Sequence, residues 1–165
     1  SPGRCRRLPK IIMTVGLPGS GKSTWARQQQ NLDPSLVLVS LDEIRATLFQ
    51  SKFSKTNENL ATRIQQAIIC ETHSQLRNII VHNTHLNPAT VKYQIEYCGF
   101  NPKAELVIKS FLDVPRNVCF ERNAGRTGYT RVPDEVIDNM YNKWFDADGV
   151  WIGLKDKKIN ELFQC

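Results

Sequence analysis

One stretch constrains this chain more than any other. "GLPGSGKST" stands at residues 16–24, after the apolar run "IIMTV" and ahead of "WARQQQ". The spacing Gly16-x-x-x-x-Gly21-Lys22-Ser23 fits the phosphate-loop pattern, and its place between a strand and a helix is the context that pattern requires. The backbone N–H groups of such a loop turn inward around an anion. Gly16, Gly19 and Gly21 allow that approach without Cβ clashes. The helix that begins near Lys22 adds its positive end. Lys22 is placed to reach the β and γ oxygens of a nucleoside triphosphate, and the Ser23 hydroxyl to ligate Mg²⁺. Pro18, Ser20 and Thr24 complete the stretch expected to contact the nucleotide, so ATP and Mg²⁺ are the expected cofactors.

The rest of the chain keeps the same rhythm. Apolar β-branched runs alternate with helical patterns, which indicates an α/β fold with a parallel sheet. The strands are "KIIMTVG", "SLVLVS", "NIIVHN" and "AELVIKSFLDV". The helices follow the glycine loop to about Gln30, then "DEIRATLF", one long helix over 56–77, "NPATVKYQIEYCG", "PRNVCFERNAGR" and "PDEVIDNMYNKWF". Ser40 and Glu43 are spaced as a capping box. Asn87 is an N-cap with Pro88 at the first helical position, and Gly99 closes that helix. The expected architecture is a P-loop kinase fold: a four-stranded parallel sheet flanked by helices, with a basic lid. Residues 1–9 read as a basic extension, 10–147 as the domain, and 148–165 as a C-terminal extension without a firm secondary structure.

Charge and cysteine content narrow the class less. The chain carries +6, but Arg4, Arg6, Arg7 and Lys10 supply +4 of it within ten residues. The body is near +2, too little to argue for nucleic acid by bulk charge. No run approaches the ~18 apolar residues of a membrane span, so no membrane partner is expected. Five cysteines, at 5, 70, 98, 119 and 165, are scattered and form no C-x-x-C pair. Neither zinc nor a disulfide framework is indicated, and a cytoplasmic location is expected.

Ligands of such a sheet gather at the carboxyl ends of its strands. That rule selects residues 16–24, 40–45, 83–87 and 113–115. A GTPase needs N-K-x-D, and the near match at Asn142 puts Phe145 where the Asp belongs. A motor ATPase needs a Walker-B acid and partner surfaces, for which this chain is small. A kinase needs an acid to take the acceptor's proton and cations over the transferred phosphoryl group. "SLDEIR" supplies Asp42 and, three residues on, Arg45 on the same helix face. "ERNAGRTGYTR" places Arg122, Arg126 and Arg131 around glycines, as in a lid that lowers arginine onto phosphate, with Arg126 reaching deepest.

Taken together, "IIMTVGLPGSGKSTWAR", "SLDEIR", "NTHLNP", "LDVP", "ERNAGR" and "RVP" resemble the kinase module of phage-type 5′-polynucleotide kinases. The similarity spans about residues 9–145. It implies that Lys22 and Ser23 hold phosphate and Mg²⁺, that Asp42 is the general base for a 5′-hydroxyl, and that Arg45 contacts the acceptor's phosphate. It implies that Arg122 and Arg126 belong to the lid on the nucleotide, with Arg126 stabilising the transferred group. Asn83 and Thr84 fall on the acceptor side. One position departs: the family's turn begins with Asp, and this chain has Asn83. The implied partners are a nucleoside triphosphate donor, a 5′-OH end of DNA or RNA, and a fused or associated repair domain. "DADGV" at 146–150 mimics a phosphatase motif but lacks the buried strand that motif needs, so it reads as coincidence or a truncated remnant. The alternatives are a P-loop kinase for a small molecule (nucleoside, nucleotide, drug or sugar) and a non-catalytic module that binds ATP or broken ends.

Overall fold

The computed structural model describes residues 8–163. Four short strands form one sheet: β1 (Ile11–Val15), β2 (Val37–Val39), β3 (Ile79–Val81) and β4 (Leu106–Ser110). Their order is β2-β3-β1-β4, and every pairing is parallel. The connections are α1 (Lys22–Leu32), α2 (Leu41–Phe49), α3 (Lys55–Ser74), α4 (Pro88–Cys98) and a short α5 (Pro102–Glu105). After β4 come α6 (Arg116–Ala124), α7 (Asp134–Trp144) and α8 (Lys157–Phe163). Most of the basic extension, residues 1–7, lies outside the described residues.

Strand alternation assigns the two faces. Ile11, Met13, Val15, Ile79 and Val81 point into the larger core with Ile69, Ile137, Trp151 and Ile159. Ile80, with the half-buried Ile12, turns the other way, onto Ala26, Leu36 and Trp25 beside α1. A central strand buried on both sides has to be apolar throughout, which is why "IIMTV" reads as a continuous run.

Local signals set the element ends. Ser40 is extended and its side chain accepts from Glu43 N, as the capping box predicts. Asn87 accepts from Ala89 N, and Gly99 ends α4 at φ 67. The fourth strand begins two residues later than expected. Asn101 caps a helical turn at Pro102, and the buried Glu105 at its end bonds His73 and Asn101 N instead of entering the sheet.

Two expectations change. Cys70 on α3 and Cys98 at the end of α4 are joined as a disulfide, 28 residues apart in sequence. The absence of a C-x-x-C spacing concealed it, because the pair is made by the packing of two helices. Cys119 is buried and unpaired. The C-terminal segment is also ordered around a tryptophan. Trp151 is 2% exposed, its Nε1 donates to Leu86 O at 2.8 Å, and it bridges to Phe145. Gly153 packs on that ring so closely that a Cβ there would lie 2.2 Å from it. "DADGV" is a surface turn, in which Asp146 Oδ1 accepts from Asp148 N and Val150 N. Trp151→Ala is expected to cost about 3–5 kcal/mol of stability, as truncation of a fully buried aromatic does. Urea unfolding measures it.

Candidate active site

The glycine loop closes over the carboxyl end of β1. Gly19 and Gly21 have φ of 85° and 101°, a conformation open to glycine at little cost. A Cβ on Gly19 would lie 2.5 Å from the Cys119 carbonyl oxygen, so the loop rests directly on α6. A Cβ on Gly16 would meet Ser20 Oγ at 2.7 Å and Phe111 Cβ at 2.9 Å. Gly16 N donates to Thr84 O, tying the loop to the segment after β3.

Lys22 is buried, and its Nζ donates to Leu17 O at 2.6 Å and Ser20 Oγ at 3.2 Å. Burial, then the charge of Arg126, hold its pKa down to about 7 from 10.5, with Asp42 opposing. The folded value lies below the unfolded one. The free protein therefore carries the full penalty of a buried ammonium below about pH 7, and it gains stability as pH rises toward 10.5. A triphosphate favours the ammonium again. Nucleotide binding at about pH 8 is expected to take up a proton, and affinity to fall as pH rises past about 7. Calorimetry in two buffers of different ionisation enthalpy reads the uptake.

Asp42 stands in the first turn of α2, with its side chain 77% exposed and an ion pair of 2.9 Å to Arg45. Arg45 also grips Glu58 of α3 through Nε and Nη2, a two-pronged contact. The hydrogen bond to Glu58 raises the Arg45 pKa and lowers that of Glu58. Arg45 is thus engaged by carboxylates on both sides. Glu58 was not legible from spacing, since it lies thirteen residues on and across a turn.

The lid reaches the loop by two routes. Arg122 Nη1 donates to Ser20 O at 3.1 Å, and Arg126 donates to Thr130 O while its charge acts on Lys22. A cleft of about 290 Å³ lies between the parts, lined by Ser23, Thr24, Asp42, Arg126 and Tyr129 among others. Anionic phosphate fits this donor set: glycine amides, a buried lysine and two arginines. A hard divalent cation fits the hydroxyl oxygen of Ser23, which lines the cleft.

Asn83 ties α2 to α3. Its Oδ1 accepts from Leu41 N, and its Nδ2 donates to Gln65 Oε1 at 2.7 Å. The position without the family's charge is thus filled by a group that uses both ends of its amide. A second cavity of about 360 Å³ opens beside it, lined by Glu58, Gln65, Asn83, Thr84, Tyr93 and Trp144 among others. Among the described residues, no lysine or arginine lines it. Leu41 lines this cavity and Asp42 the cleft, so the two flank the first turn of α2. His85 serves the scaffold: Nδ1 bonds Thr14 O, Nε2 bonds Gln94 Oε1, and burial lowers its pKa.

His82, one residue short of the segment selected by the strand-end rule, was also missed. Its Nδ1 lies 2.9 Å from Ser23 Oγ. Burial, above all, lowers its pKa to about 4, so the ring is neutral. Its Nε2 is buried with no hydrogen-bond partner among the described residues, an arrangement that costs roughly 1–3 kcal/mol.

A parallel sheet with a phosphate loop after β1, an acid after β2 and an arginine lid after β4 defines a P-loop kinase fold. The chain belongs to the AAA domain family, which matches residues 11–146. It is similar to a chain of the Pnkp1/Rnl/Hen1 complex at 26% identity, covering 73% of this chain and 40% of that one, with a TM-score of 0.64. A chain of the Pnkp1/Rnl/Hen1 RNA repair complex aligns at 23% identity over 87% of this chain and 46% of its own, with a TM-score of 0.70. This protein therefore spans less than half the length of those chains. The APS kinase CysC of Mycobacterium tuberculosis, in complex with AMPPNP and APS, shares the fold at 18% identity and a TM-score of 0.54, covering 73% and 71%.

Proposed function

We propose that this protein is an ATP-dependent phosphotransferase that places the γ-phosphoryl group of ATP on the 5′-hydroxyl of a nucleic-acid end, in repair. The observation that carries the reading is the single cleft onto which the phosphate loop, the Asp42 carboxylate and the lid arginine Arg126 converge. The transfer is in line. Asp42 accepts the proton of the attacking hydroxyl, while Lys22 and Arg126 neutralise charge on the transferred group. Ser23 is the residue that would hold Mg²⁺, which would supply positive charge to offset that of the triphosphate.

The second cavity supports the choice of acceptor. Among the described residues it offers Tyr93, Trp144 and several carboxamides, and no lysine or arginine. Stacking and amide hydrogen bonds suit the base or sugar of a terminal nucleotide. A small anionic acceptor would want an arginine or lysine there. The likeness to the repair-complex chains points the same way. The volume, about 360 Å³, also fits a free nucleoside, which keeps a small-molecule kinase as the second reading. Labelled ATP offered separately to a 5′-OH oligonucleotide, to nucleosides and to 3′-nucleotides decides between them. Label on the oligonucleotide supports the proposal; label on free nucleosides alone refutes it.

A further inference from the structure

β3 delivers His82 to the carboxyl edge of the sheet, and alternation from Ile80 turns it toward α1. The backbone that carries it is pinned: His82 N donates to Val39 O, and Thr14 Oγ1 donates to Asn83 O at 2.8 Å. The imidazole is 3% exposed and meets Ser23 Oγ through Nδ1. We propose that His82 is a positioning residue for the nucleotide's metal ion: its bare Nδ1 accepts the Ser23 hydroxyl proton, which leaves the oxygen lone pairs turned to the cation. The inference rests on the reading of Ser23 as the metal-holding residue.

A serine hydroxyl has one proton and two acceptor lone pairs. Unless the proton has a fixed acceptor, it competes with the metal for the space in front of the oxygen. Lys22 does not settle the matter, because its ammonium is turned to Leu17 O and Ser20 Oγ. His82 supplies the acceptor from behind. With Nδ1 bare the ring's N–H sits on Nε2, which is buried with no hydrogen-bond partner among the described residues. The opposite tautomer would donate to Ser23 Oγ, occupy a lone pair and aim the hydroxyl proton at the cation. A carboxylate here would accept the same proton but add a negative charge. Histidine performs the task without one.

The test is Mn²⁺ binding, followed by electron paramagnetic resonance in the presence of the β,γ-imido analogue of ATP. His82→Ala is expected to weaken Mn²⁺ binding about 10-fold or more, the usual effect of losing a group that orients a metal ligand, with metal-free analogue affinity unchanged. His82→Asn places an amide oxygen where Nδ1 stood and is expected to keep near-native Mn²⁺ affinity. His82→Gln reaches only the Nε2 position and is expected to fall with alanine. This amide pair carries the test if the alanine variant does not fold. Equal Mn²⁺ affinity in the Asn and Gln variants, or native affinity in the alanine variant, overturns the proposal. Ser23→Ala separates the two layers. If it binds Mn²⁺ as well as the native protein does, the reading of Ser23 itself fails, and the role of His82 fails with it.

Discussion

Asp42→Ala is expected to lower phosphoryl transfer by about 10²–10⁴-fold while nucleotide binding stays near native, the loss typical of a removed general base. The separation follows from geometry. Asp42 lies on α2, across the cleft from the glycine loop, and its side chain is mostly exposed. Its removal touches none of the loop amides. The carboxylate also pairs with Arg45, so alanine alone would not distinguish a lost base from a loosened arginine. Asp42→Asn answers this. The amide oxygen still accepts from Arg45 but takes no proton at neutral pH. Arg45 keeps Glu58 in either variant, so the helix contact survives. Both variants should be equally inactive in single-turnover assays and near native in equilibrium ATP binding. Activity restored by asparagine would mean that the carboxylate positions Arg45 and does not take a proton.

The second large effect is expected at Gly19→Ala. The residue has φ 85°, and its Cβ would lie 2.5 Å from the backbone oxygen of Cys119. A backbone oxygen in a helix has nowhere to go, so the loop itself must shift. Strain of about 1–3 kcal/mol at such a position corresponds to roughly 10–100-fold in nucleotide affinity if the loop relaxes only on release of its ligand. Gly128→Ala is the control. It too has positive φ, at 61°, but nothing lies within 4 Å of its Cβ. Its variant should show the conformational cost in stability and little loss of nucleotide affinity. Equal losses at the two glycines would mean that close packing on α6 does not shape the loop.

Particular residues show how far the sequence could be read. The phosphate loop was legible because its geometry is encoded in nine adjacent residues. Asp42 and Arg45 were legible because Ser40 announces a helix start at the end of a strand, and the structure places that cap as read. Glu58, Gln65 and His82 were not. Glu58 meets Arg45 only after α3 folds back across α2, and no local spacing records that. Gln65 is known only through Asn83, eighteen residues away. His82 lies one residue past β3, where the apolar run gives no sign of which residue turns toward α1. Past Asp146 the order comes from buried Trp151, with Gly153 packed on it, and from buried Ile159 of α8, and single buried residues this far apart leave no periodic pattern. The Cys70–Cys98 pair was hidden for the same reason: it belongs to the packing of α3 on α4.

Asn83 is also better defined by the structure. It reads in sequence as a missing charge, but it bridges Leu41 N of α2 to Gln65 of α3. An aspartate would keep the first contact and lose the donor of the second. The amide thus fits the carboxamide neighbour that this chain carries, and the link between α2 and α3 keeps both hydrogen bonds without the family's acid.

The measurement that bears most directly on the central claim is the position of the transferred phosphate. The protein is given γ-labelled ATP, Mg²⁺ and an oligonucleotide with a 5′-hydroxyl, and the product is digested to 5′-mononucleotides. The account predicts that the label is recovered on the 5′-terminal nucleotide, and that an oligonucleotide already bearing a 5′-phosphate takes up none. Label confined to free nucleosides or other small acceptors, or ATP bound without transfer to any 5′-hydroxyl, would contradict it.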